Sequence, residues 1–187
     1  MRTAAEGIVT LEAFGPGHAA ELWPVSPVET FEYFLSKPAD GSRGAFAAFL
    51  EASIADMKAE TFVVRDAATG RAVGSSSFLD LRPIHRGLEI GFTWYDALVR
   101  GTRVNPACKL LMLQRAFEER GCMRVQLKCH NGNERSKRAI LKLGATFEGV
   151  LRKHMMLRDG RHRDTAMFSI TDEEWPRVRA GLEKRLC

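Results

Sequence analysis

The chain has 187 residues, 45% of them hydrophobic and 27% charged, which is the make-up of a single globular domain over residues 1–187 rather than of a disordered or fibrous protein. Its formal net charge of +5 suits an anionic small ligand such as a nucleotide cofactor. It is too small to argue for nucleic-acid binding, and no zinc-finger or RNP-type motif accompanies it. No run approaches the roughly 20 apolar residues of a membrane helix, and "MRTAAEGIVTLEAF" lacks the long apolar stretch of a signal peptide, so neither a membrane nor an export route is expected.

In chain order, "GIVTLEAF" reads as a first short strand. "SPVETFEYFL" has Ser26 as a cap, Pro27 in the first turn and Glu29 three residues on, which predicts a helix start. Phe46, Phe49, Leu50, Ile54 and Met57 recur at helical spacing and predict a second helix. "TFVVRD" and "RAVGSSSFLDL" predict two strands around the turn "AATG". "GLEIGFTWYD" predicts a third, with Leu88, Ile90, Phe92 and Trp94 on one face and Glu89, Gly91 and Thr93 on the other.

A helix is expected over Ala107–Arg120, stopped by Gly121. "MRVQLKCH" then predicts a strand, and "NERSKRAILKLG" a helix ending at Gly144. Residues 145–170 predict a hairpin turning at Asp159-Gly160, and a last helix is capped by Thr171 with Glu174. The order β-α-α-β-β-β-α-β-α-β-β-α implies one α/β (α+β) domain: a mixed, largely antiparallel sheet with helices on both faces. No GxGxxG occurs, which argues against a doubly wound dinucleotide fold.

Cys108, Cys122, Cys129 and Cys187 form no CxxC pair, so they read as reduced thiols of a cytoplasmic protein, with no metal site. The junction Arg100-Gly101-Thr102-Arg103-Val104-Asn105 leads into a helix that begins near Pro106. It is either a solvated basic turn or a cup of unpaired N–H groups and positive charge for a phosphate. Glu89 interrupts an apolar strand. It is either salt-bridged or a desolvated carboxylate able to accept a proton. Asn133 precedes a helix with Ser136 three residues on, the spacing of an N-cap. The run "RKHMMLRDGRHRD" reads as a solvated basic face or a recruiting surface, and Trp175 as a core anchor.

The strand "LEIGFTW", the Gly-basic junction and "NGNERSKRAILKLGATFEGVLRKHM" followed by "DGRHRDTAMFSI" together resemble the GNAT acyl-CoA N-acyltransferases, within them the RimJ/RimL-like branch whose founding members acetylate protein N-termini. The resemblance covers roughly residues 62–170. It implies acetyl-CoA as acyl donor and a small-molecule amine or a protein N-terminus as acceptor, with no nucleic acid. A homodimer through the last hairpin or helix is compatible with it. It implies that Arg100, Gly101, Thr102, Arg103, Val104 and Asn105 hold the pyrophosphate, although the family usually has a second glycine where Arg103 stands. By the same resemblance, Phe92, Thr93 and Trp94 lie on a strand that splays from its neighbour and pairs with the cofactor arm. Asn133 would bond the pantetheine, Ser136 would protonate the departing thiolate, with Tyr95 as a weaker alternative, and Glu89 would take the amine proton, with His85 and His130 as alternatives. A catalytically weak CoA-binding or regulatory module of the same fold is the other reading. Acceptor pockets are expected between Ser26–Glu60 and Leu151–Arg163.

Overall fold

In the computed structural model, which describes residues 4–187, the strand-forming runs join one seven-stranded sheet. The strands are β1 Val9–Ala13, β2 Glu60–Asp66, β3 Ala72–Arg82, β4 Gly87–Tyr95, β5 Arg124–His130, β6 Thr146–Met156 and β7 His162–Thr171, ordered β1-β2-β3-β4-β5-β7-β6. The helices are α1 His18–Leu22, α2 Arg43–Asp56, α3 Val104–Gln114, α4 Glu134–Leu143 and α5 Trp175–Leu186. Every neighbouring pair is antiparallel except β4–β5. The expected mixed α/β architecture is therefore present.

The parallel pair is the irregular place. It holds for only three positions, Gly87 with Arg124, Leu88 with Val125 and Glu89 with Gln126. Beyond them β4 stays with β3 and β5 stays with β7, so the sheet forks. A bulge sits at the fork. Ser77 pairs with Gly91 and Ser75 with Trp94, which leaves one extra residue on β4, and Phe92 takes a φ of +46°. The bulge resets the alternation. Leu88, Ile90 and Tyr95 join the core that includes α3 and α5, whereas Trp94 and Phe92 join Phe31, Phe46 and Phe49 in a second core. The predicted shared face for Leu88, Ile90, Phe92 and Trp94 is thus corrected, because period-2 counting fails across an inserted residue.

The second core explains another departure. Residues 26–35 do not form the expected α-helix; they contain a 3₁₀ turn, Val28–Phe31, with Pro27 at its N-cap. Ser26 caps nothing. Its buried hydroxyl accepts the Trp94 indole N–H at 2.7 Å, a partner that a buried indole requires, and Pro27 disfavours helical backbone at the residue before it.

Other boundaries follow local chemistry. The Ser42 hydroxyl accepts from Ala45 N at 3.2 Å and starts α2. α3 begins three residues earlier than the apolar pattern indicates and continues as a π-turn over Arg115–Glu119, before Gly121 at φ +61°. The Glu174 carboxylate reaches back to Thr171 N at 2.9 Å, one turn ahead of α5. Trp175 anchors α5 as expected: its ring stacks on Phe117, centroids 5.4 Å apart, and its Nε1 donates to Glu118 at 2.9 Å. Replacing Trp175 by Ala removes this buried ring and should cost about 3–5 kcal/mol, read as a lower urea midpoint with an unchanged slope.

Candidate active site

The fork opens into a cleft of about 730 Å³, walled by the 30–36 loop, α2, β4, β5, the start of α4 and the β6–β7 hairpin. Residues from both segments expected to bound the acceptor, among them Tyr33, Met57, Met155 and Arg163, line it.

At one end the cleft meets the N-terminus of α3. Arg100, Gly101 and Asn105 line it there. Gly101 holds φ +80° with open space beside its Cα, the left-handed turn that lets backbone face the cleft. The first N–H groups of α3 have no helical acceptors, and Pro106 has no N–H. Arg100 is fixed by bonds from Nε to Tyr95 O and from Nη2 to Thr30 Oγ1, both 3.0 Å. Burial and the charge of Arg135 lower its pKa, so two cations share this end. The side chains of Thr102, Arg103 and Val104 do not line the cleft. Thr102 Oγ1 donates to Val99 O at 2.7 Å, Val104 is buried in the core, and Arg103 Nη1 donates to Leu186 O at 2.8 Å. Arg103 therefore turns back to the carbonyl end of α5, where a cation meets the negative end of a helix dipole, and does not block the loop.

Along the middle, Phe92, Thr93 and Trp94 line one wall. Beneath them lies Lys109, which no motif picks out. It is 5% exposed, and its Nζ donates to Ser76 Oγ at 2.8 Å and Thr93 Oγ1 at 2.7 Å. Neither partner is anionic, and desolvation pushes its pKa down to about 8. Its only signal in the sequence is a lone charge inside the apolar run "NPACKLLML".

On the facing wall, Asn133 Oδ1 accepts from Ser136 N at 3.0 Å, which makes Asn133 the N-cap of α4 while its amide group borders the cleft. Ser136 is half-buried and also lines the cleft; burial raises the pKa of the Cys129 thiol, and the nearby Ser136 hydroxyl partly offsets this. Of the alternatives, His130 lines the cleft and accepts from Gly132 N through Nδ1 at 2.9 Å. Tyr95 also lines it, though buried in the core, and His85 lies in an exposed turn.

Glu89 lies at the fork, 2% exposed. Its Oε2 accepts from Lys128 Nζ at 2.8 Å and Gln126 Nε2 at 3.2 Å. It is both buried and salt-bridged, as the first sequence reading has it. Its Oε1 would lie 2.7 Å from a Cβ at position 91, so only glycine leaves the carboxylate its place. The basic hairpin is not all solvated either: Arg163 is 6% exposed and lines the cleft. All four cysteines are free, and the described residues contain no helix long and apolar enough to cross a membrane.

The fold is that of an acetyltransferase domain: a solved structure provisionally described as an acetyltransferase is 34% identical, with a TM-score of 0.90 over 96% of this chain and 91% of that one. The family model described as "Acetyltransferase (GNAT) domain" matches residues 9–146, and the chain belongs to that family. A GCN5-related N-acetyltransferase from Brucella melitensis is 31% identical, with a TM-score of 0.87 over 96% of this chain and 83% of that one. In Bacillus subtilis (strain 168), YdaF, provisionally named a ribosomal N-acetyltransferase, is 29% identical over 106 residues, 57% of each chain. The match thus spans little more than half the length of that relative. A spermidine N-acetyltransferase from Vibrio cholerae, solved with CoA and spermine, shares the fold at 19% identity and a TM-score of 0.71, covering 90% of this chain and 98% of that one.

The buried Lys109 gives a pH-dependent test of the site. Its folded pKa of about 8 lies below its ordinary 10.5, so between those values the unfolded chain binds more protons, and the charge costs stability below pH 8. As pH rises from 7 to 10.5, wild type should therefore gain on Lys109→Met by on the order of 3 kcal/mol. Urea unfolding of both proteins across that range measures it.

Proposed function

We propose that the protein transfers an acetyl group from acetyl-CoA to a primary amine, as an N-acetyltransferase of the RimJ/RimL-like kind. The observation that carries this reading is the fork: backbone freed from pairing, beside a helix N-terminus with two clustered arginines at one end and a buried carboxylate at the other. Acetyl-CoA supplies an activated thioester, so the protein's work is positioning, proton handling and charge stabilisation.

Arg100, Gly101 and Asn105 would hold the diphosphate, with Arg135 adding charge. The Asn133 amide would bond the pantetheine arm while its Oδ1 keeps the helix cap. The unpaired backbone of β4 around Phe92, Thr93 and Trp94 would donate to the carbonyl oxygen where charge develops. Lys109 adds positive potential beneath it through the Thr93 hydroxyl. Glu89 would orient the incoming amine and receive its proton through water, and Ser136 would give a proton to the departing sulfur. The acceptor is a small-molecule amine or a protein N-terminus, the latter supported by the name carried by YdaF. The four free cysteines suit a cytoplasmic setting.

Calorimetric titration with acetyl-CoA and with CoA tests the reading. Wild type should bind both with a Kd in the micromolar range. Asn133→Asp keeps a good cap but loses the amide donor, and should bind about tenfold more weakly, the worth of one hydrogen bond, at an unchanged Tm. No binding by wild type overturns the reading. For Ser136→Ala, kcat should fall at least tenfold with the acetyl-CoA KM unchanged; a wild-type rate across the pH range removes Ser136 from the proton path.

A further inference from the structure

The acceptor end of the cleft holds a cation, Arg163, that the proposed transfer reaction does not use. Three charged side chains are gathered there: Glu89 on β4, Lys128 on β5 and Arg163 on β7. Glu89 is already bonded to Lys128 at 2.8 Å. Arg163 is 94% buried by its 6% exposure, yet among the described residues no carboxylate lies within 4.0 Å of it. Its Nη1 reaches the Tyr33 carbonyl at 3.4 Å, and its Nε has no partner. Desolvation lowers its pKa, opposed by Cys129 and, less, by the field of Glu89, as expected for a cation held in low dielectric without a contact ion pair. His130, beside it on β5, is held toward its neutral form by burial and by the Arg163 charge. At the rim, Asp80 pairs with Arg82, and the exposed Asp56 and Arg158 carry opposite charges.

A buried cation without a partner is costly, and removing its counter-ion from a pair leaves just this arrangement. Here the missing partner has a place to come from, because Arg163 borders the cleft. A polyamine would bring a second positive charge to a floor that already has one cation in excess. An amine that also carries an anion would supply what is missing. Arginine binds a carboxylate through charge-assisted hydrogen bonds, bidentately where geometry allows.

Building on the acetyltransferase reading, we propose that the acceptor is an amine that also bears a carboxylate, with Arg163 binding the carboxylate while Glu89 faces the amine. The carboxylate comes either from a free amino acid or from an acidic residue near a peptide N-terminus.

The test is an acetylation assay with matched acceptors. One arm uses ω-amino acids from glycine to 6-aminohexanoate against their carboxamides. The other uses short peptides with Asp or Asn at the second position. Spermidine is the cationic control. In at least one arm the acid should exceed its amide in kcat/KM by about tenfold or more, with spermidine poorest, and that arm identifies the source. In Arg163→Gln the acid-to-amide ratio should fall toward one, and in Arg163→Lys, which keeps the charge, it should lie between. Circular dichroism and Tm establish that each variant is folded. Amides or spermidine used as well as the acids, or an unchanged ratio in folded Arg163→Gln, overturns the proposal while leaving acetyl transfer intact. Failure of the underlying reading looks different: no acetyl-CoA binding and no amine acetylated in either arm.

Discussion

The rest of the molecule depends on one inserted residue. Between Gly91 and Trp94 the fourth strand has three steps where its partner has two, and Phe92 absorbs the difference at a positive φ. A bulge of this kind bends its strand and breaks the ladder locally. Here it lies just past the last parallel pair of β4 with β5, so the two central strands part instead of closing. Their freed backbone groups border a cleft rather than each other. The aromatic cluster of Phe31, Phe34, Phe49 and Trp94 packs around Phe92. That packing over-determines a conformation which costs energy in isolation.

Burial then sets the chemistry of what lines the fork. A lysine among hydroxyls, a carboxylate held by a lysine, and an arginine held only by a carbonyl occupy one cavity. Each sits where solvent cannot screen it, so each interacts more strongly than the same group on a surface. Under the proposed reaction this arrangement is preorganisation: the dipoles and charges are already in place before a substrate arrives. Gly91 shows how tightly it is made, since a single methyl group there would collide with both Glu89 and Leu79.

Arg103 illustrates how a deviation from a family pattern is accommodated. The family resemblance leads to a second glycine at this position, and an arginine there reads in sequence as an obstruction to the loop. Its side chain instead spans to the last turn of α5 and satisfies a terminal carbonyl. The loop's rear surface is tied to the C-terminal helix, while Gly101 keeps the turn that faces the cleft.

The sequence by itself determined the order of the seven strands, the four later helices, the sheet class, and the caps at Asn133 and Gly144. These are properties of local spacing, and short-range periodicity and capping chemistry record them directly. It also marked Glu89, a lone carboxylate inside an apolar strand, and Asn133 as a helix cap, while Ser136 stood out only through the family resemblance. Only the tertiary structure decided which face Phe92 and Trp94 occupy, that Ser26 serves an indole 68 positions away rather than a helix, and that Arg163 and Lys109 are buried cations. Each of these depends on contacts between residues far apart in the chain. A basic run looks the same in sequence whether its arginines reach water or a cavity, and a bulge leaves no mark until a second strand counts against it.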